Sequence, residues 1–168
     1  DAWGSGHSTS LGADVTKLHA KEFENTRKVL EGDKNRLIIG QVVRGAVTGQ
    51  PNIPVALGIL DKSGGLAGII GSAILPEYFR DFYESLRMGE RASVGLLRRD
   101  GAVLARFPEM TDAPVDVSKS TVFREQVAVE QSGAVEVADS LDGAMRIISF
   151  RHVPDYGLIV AVTESRDA

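Results

Sequence analysis

The feature that most limits the fold is a repeated turn. Asp61-Lys62-Ser63-Gly64-Gly65, Arg98-Arg99-Asp100-Gly101, Leu141-Asp142-Gly143 and Pro154-Asp155-Tyr156-Gly157 each separate two apolar runs. Asp, Gly and Pro are turn chemistry. Connections this short join only antiparallel strands, because a parallel pair needs a crossover of about a dozen residues or more. The runs themselves are β-branched residues and leucine, and they predict strands over about 37–44, 53–60 and 66–74. A hairpin is predicted within 92–107 and three further strands within 134–165.

Three stretches read as helix. Asp14 suits a cap, Val15, Leu18, Phe23, Thr26, Val29 and Leu30 fall near one face, and Gly32 suits a stop, which predicts a helix over about 15–31. Leu75-Pro76 opens a second, with Leu75, Tyr78, Phe79, Phe82, Tyr83 and Leu86 on one face and Gly89 beyond its end. That face is expected to be core. A short helix is predicted within 121–133, ending at Gly133.

The glycines of "SGGLAGIIGS" invite a phosphate-loop reading, which fails on spacing. Neither Gly64 nor Gly65 starts a Gly-x-Gly-x-x-Gly, no Gly-Lys-Ser/Thr follows, and a strand-like run succeeds the glycines where a helix N-terminus would be needed. The turn-then-strand reading is preferred, with Gly68 and Gly71 marking a bulge or a close approach by backbone or ligand.

Composition removes other classes. A net charge of −4 without a long basic cluster argues against nucleic acid. The absence of cysteine excludes disulfides, zinc–thiolate sites and cysteine nucleophiles. No apolar run is long enough to span a bilayer. The chain begins at Asp1 without Met and is expected to be an excised piece. His7, His19 and His152 have no metal-ligand spacing and read as surface or turn residues. Gly4-Ser5-Gly6-His7-Ser8 is not a nucleophile elbow. No metal, cofactor or catalytic residue is expected.

From "LIIGQVVRGAVTGQPNIPVALGILDKSGGLAGIIGSAILPEYFRDFYESLRMGERASVGLLRRDGAVLARFP" through "DGAMRIISFRHVPDYGLIVAV" the chain resembles the double Cache sensor family, as in the sensor regions of bacterial diguanylate cyclases and histidine kinases. The resemblance covers roughly residues 14–165. It implies an α+β fold of two tandem PAS-like modules, each an antiparallel sheet flanked by helices. Residues 1–75 would form the membrane-distal module and 76–168 the membrane-proximal one. It also implies a non-enzymatic, periplasmic ligand-sensing part of a membrane-anchored receptor, whose output domain would be a cyclase or a kinase. The family's long N-terminal helix has no counterpart here, so the first module is expected to be incomplete, and the fragment a monomer or a weak dimer. The alternative is an intracellular PAS-like protein-interaction module without a ligand.

The ligand site implied by this likeness lies between the first helix and the first sheet. Phe23 and Arg27 would come from the helix, Gln41 and Arg44 from the next strand, Thr48 from the loop and Ser72 from the glycine-containing strand. The arginines favour an anion such as a carboxylate. In amino-acid-binding members an Asp pairs with the ligand's ammonium group, and here that position is Ala73. Of the family's Arg and aromatics in the segment resembling "HAKEF", only Phe23 remains aromatic, and the Arg falls near Ala20. A buried ammonium needs a paired carboxylate, so an amino acid bound in that mode is not expected.

Overall fold

The computed structural model describes residues 22–166, apart from 33, 47, 90, 110–114 and 139–144. The chain divides into two compact units, Asp1–Leu75 and Pro76–Ala168.

The first unit is built from α1 (Glu24–Glu31), β1 (Ile38–Ile39), β2 (Val43–Arg44), β3 (Pro51–Leu60) and β4 (Leu66–Ile74). The central strand β3 pairs antiparallel with β1 and β2 on one side and with β4 on the other. The strand expected over 37–44 is therefore two short pieces parted at Gly40. A Cβ on Gly40 would fall 2.8 Å from the Pro54 ring, and Pro54 is the residue whose carbonyl receives the Gly40 N–H. The helix is shorter than its periodicity suggested. Phe23 is extended (φ −95°, ψ 128°), so α1 begins at Glu24, and the earlier part of the expected helix, 15–21, lies outside the described residues.

The turn from β3 to β4 behaves as its residues dictate. Asp61 Oδ1 accepts the Ser63 hydroxyl at 2.6 Å and the N–H groups of Ser63 and Gly65 at 2.8 Å each. These bonds, the Ser63 hydroxyl foremost, hold the Asp61 carboxyl below its ordinary range. The Gly64 N–H bonds the Asp61 carbonyl. With those amides spent inside the turn, the glycine cluster has no nest to offer a phosphate. A bulge interrupts the β3–β4 ladder between Ile59 and Leu60, opposite Gly68 and Leu66, so the glycine signal at Gly68 marks a bulge.

The second unit holds α2 (Pro76–Ser85), β5 (Ser93–Arg98), β6 (Val103–Phe107), β7 (Ser132–Ala138), β8 (Met145–Val153) and β9 (Leu158–Ser165). Its five-stranded sheet runs β6-β5-β9-β8-β7, antiparallel throughout. Each pairing joins strands that the short turns had linked, except the β5–β9 pair that closes the middle. Leu97, Phe123, Val127, Phe150 and Ile159 form its core on one face. Phe123 and Val127 come from a wide helical turn over Phe123–Val127, in which the Ala128 N–H reaches back five residues to the Phe123 carbonyl at 2.8 Å. That turn stops before Gly133, which lies inside β7, so the expected helix end there is corrected.

Two further expectations are corrected by burial. His152 is only 6% exposed, and its Nε2 sits 2.7 Å from the Val127 carbonyl. Strand alternation puts it on the same face as Phe150, where it ties β8 to the wide turn. His7 and His19 lie outside the described residues. The aromatic face of α2 is largely not core: Tyr83 is buried, but Tyr78 is 71% and Phe82 55% exposed, and Leu75 and Leu86 are exposed as well. The helix packs on β6, with Tyr83 buried and the Phe79 ring half-buried beside it.

Candidate ligand site

In an antiparallel sheet, directly paired residues share a face. Val29 of α1 is fully buried and packs with Ile38 and Ala56. Ala56 pairs with both Ile38 and Gly71. The same face carries Pro54 opposite Ala73 and Gly58 opposite Ile69. The sheet therefore presents mostly small residues to α1. Gly58 explains part of this: a Cβ there would stand 2.4 Å from the Lys34 carbonyl. Gly71 is different. A Cβ added at Gly71 would meet only the Val55 carbonyl oxygen, at 3.6 Å, and both Gly71 and Ala73 are exposed. The helix-side face is thus filled around Ala56 by Val29, Ile38, Leu66 and Ile69, and its Gly71–Ala73 end is open to solvent.

The helix contributes polar groups to this face. Asn25 and Thr26 lie one turn before Val29 and are buried with it, Asn25 at 4% exposure. The charges of α1 are paired along its own surface, Lys28 with Glu24 at 2.7 Å and Arg27 with Glu31 at 3.7 Å.

The residues named from the sequence are scattered about this site rather than gathered in it. Phe23 is half-buried at the helix N-terminus. Arg27 points to solvent beside Glu31. Gln41 is exposed in the break between β1 and β2. Arg44 is exposed and donates to the Gly49 carbonyl at 3.0 Å, while the exposed Thr48 hydroxyl accepts the Gln50 N–H at 3.3 Å. Ser72 pairs with Val55 and stands on the face away from α1. Asn25 and Thr26 were missed. Thr26 had been read only as part of an apolar helix face. Asn25 is a polar residue on a buried face and leaves no trace in a hydrophobic pattern.

Among the described residues no three His, Asp or Glu side chains gather to hold a metal ion, and no helix is long and apolar enough to cross a membrane.

Each unit lays a short helix over an antiparallel sheet. The profile of the dCache_1-like histidine kinase sensor domain family matches residues 76–163, and the chain belongs to that family. The extracellular domain of rpHK1S-Z16, assigned as a histidine kinase, superposes with a TM-score of 0.81 at 22% identity, over 99% of this chain and 68% of that one. The periplasmic sensory domain of the Campylobacter jejuni chemoreceptor Tlp1 gives 0.71 at 16% identity, over 95% and 61%. The ligand-binding domain of the Pseudomonas aeruginosa PAO1 chemoreceptor PctB, in complex with L-Gln, gives 0.67 at 15% identity, over 90% and 60%. At these identities the likeness is one of fold, and the chain spans only part of each neighbour's length. No curated protein matches the chain.

Proposed function

We propose that this chain is the extracytoplasmic, ligand-sensing part of a bacterial membrane-bound histidine kinase, with no catalysis of its own. The ligand is taken by the first unit, between α1 and the helix-side face of its sheet. The observation that carries this reading is the open Gly71–Ala73 end of the sheet face on which α1, with its buried Asn25 and Thr26, packs. A sheet face closed for stability alone would be filled, as the second unit's is. The ligand acts by population shift: it binds one sensor conformation better than the other, and that difference is the whole signal.

The family match favours a kinase output over the cyclase that the sequence also suggested. A carboxylate ligand is not part of the proposal, since Arg27 is in solvent beside Glu31 and Arg44 is committed to the Gly49 carbonyl. An α-amino acid held through its ammonium group is not part of it either, with Ala73 where a carboxylate would be needed. The isolated chain is expected to sediment as a monomer or a weak dimer.

The test is a thermal-shift panel of amino acids, carboxylates, amines, amides and polyols against the chain and its Ala73→Leu variant. A compound at a hundredfold excess over its Kd stabilises the native state by about 2.7 kcal/mol. At least one compound is expected to raise the parent's Tm and to lose that effect in the variant, which itself stays folded. Shifts that persist in Ala73→Leu would place binding elsewhere, and a folded parent deaf to every compound would remove the sensing role.

A further inference from the structure

The described residues hold one buried polar atom that the fold does not account for on the helix-side face. Asn25 Oδ1 is fully removed from water and has no hydrogen-bond partner among the described residues. Buried acceptors in native proteins are nearly always satisfied, so an orphan calls for an explanation. Its position supplies one. Asn25 is a turn before Val29 on the same side of α1, and Val29 rests on Ile38 and Ala56, so Asn25 faces the same sheet. Gly71, paired with Ala56, leaves room on that face and is open to solvent.

We propose that Asn25 is the recognition group for an uncharged, hydrogen-bond-donating part of the ligand, an amide N–H or a hydroxyl, seated between α1 and the small-residue face of the first sheet. This rests on the ligand-site reading above and adds the chemical class. The side-chain amide matches such a group on both counts: its oxygen accepts, its nitrogen donates, and it carries no charge. The neighbouring charges reinforce the choice. Lys28 and Arg27 each lie beside a glutamate of α1, so neither presents an uncompensated positive charge to a ligand. A charged ligand group in this place would go uncompensated by the described residues, at the cost of burying an unpaired charge.

The experiment is a titration of the isotope-labelled chain with acetamide, acetate and methylammonium at matched ionic strength, followed by nuclear magnetic resonance. Acetamide is expected to move the Asn25 side-chain amide signals saturably, together with the backbone amides of Val29 and Ala56, and the two ions to leave them in place. Acetate or methylammonium moving those signals instead would overturn the uncharged class while leaving the site itself standing. A site that holds water only shows no saturable response to any probe, and that also overturns the inference.

Asn25→Leu gives an independent reading. With the orphan removed, the ligand-free variant is expected to melt above the parent, and acetamide no longer to perturb Val29 or Ala56. A lower melting temperature would mean that Asn25 serves the fold, and the inference falls. The sensing role is judged separately: a panel compound that still depends on Ala73 in an Asn25→Leu background sinks this inference alone.

Discussion

The two sheets of this chain are both antiparallel and both backed by helical segments, yet they use their faces differently. The second sheet closes its inner face with bulk, Phe123 and Val127 from the wide turn meeting Leu97, Phe150 and Ile159. Even its glycines are crowded: at Gly133 the Phe150 ring lies 3.1 Å from where a Cβ would be, and at Gly95 the Leu97 side chain lies 3.5 Å away. The first sheet meets α1 with several small residues, and Val29 packs there with Ile38, Leu66 and Ile69, while the Gly71–Ala73 end stays exposed. The lesson is that two antiparallel sheets of one chain differ in how far side-chain volume closes the face under their helical segments: the second is filled, and the first ends in an open shelf, the exposed Gly71 and Ala73.

The sharpest way to break the comparison is to empty the sealed core. Phe150→Ala is expected to cost about 3–5 kcal/mol and to lower the urea midpoint of the second unit's amides in hydrogen exchange. Val29→Ala, the equivalent cut in the first unit, is expected to cost about 2 kcal/mol, since a smaller side chain is lost. Equal effects would mean that the shelf is packed after all.

Next comes the turn that braces the second sheet. Gly101 has φ +97°, and a Cβ there would lie 2.5 Å from the Ser118 nitrogen. Its carbonyl also receives the Val117 N–H at 2.9 Å. Gly101→Ala is expected to cost about 2 kcal/mol or more, read by chemical denaturation, because both the backbone angle and the space forbid it. By contrast, Gly71→Val is expected to change stability by no more than about 0.5 kcal/mol while abolishing any ligand-dependent shift. A loss at Gly71 as large as at Gly101 would show that the shelf is structural.

How much of this was legible in the sequence follows from how local each signal is. The turns at 61–65, 98–101 and 154–157 and the strands they separate were legible, because a turn is decided by the residues that make it, while the expected turn at Leu141-Asp142-Gly143 lies outside the described residues. The β4 range was read from Leu66 to Ile74, as found. What needed tertiary knowledge was missed. The α2 stripe showed amphipathicity, and periodicity does not say whether a partner covers it, so Tyr78 and Phe82 were taken for core. His152 shares the parity of Phe150 in β8, and that alternation was the available clue to its burial. That α1 packs on the first sheet was legible, but where the expected site residues lie about that contact was not. Long polar side chains such as Arg27 and Gln41 attract attention in a sequence, and their reach lets them stay in solvent.

The smallest expected effect concerns pH and sits on the first sheet's turn. Asp61 has its carboxyl pKa lowered, chiefly by the Ser63 hydroxyl. A depressed folded pKa means that the charged form stabilises the fold above the unfolded pKa. That contribution is lost as pH falls from about 4 through the lower folded value. Asp116, lowered in the same way by Ser118, adds a parallel loss in the second unit. Asp61→Asn is expected to flatten the acid slope for the first unit's amides only. An unchanged slope would assign it to other carboxylates.

The outer strand of the open shelf has a colloidal consequence. Among the described residues β4 pairs only with β3, and its nine residues, LAGIIGSAI, contain no charge and no proline. Sheet edges are ordinarily guarded by lysine, proline or a bulge, and here the bulge protects one end alone. Ile70 stands 58% exposed beside that edge. An edge without charge or proline is open to the backbone of another chain, so β4 is where aggregation at high concentration is expected to begin, and Ala67→Lys is the first substitution to protect it.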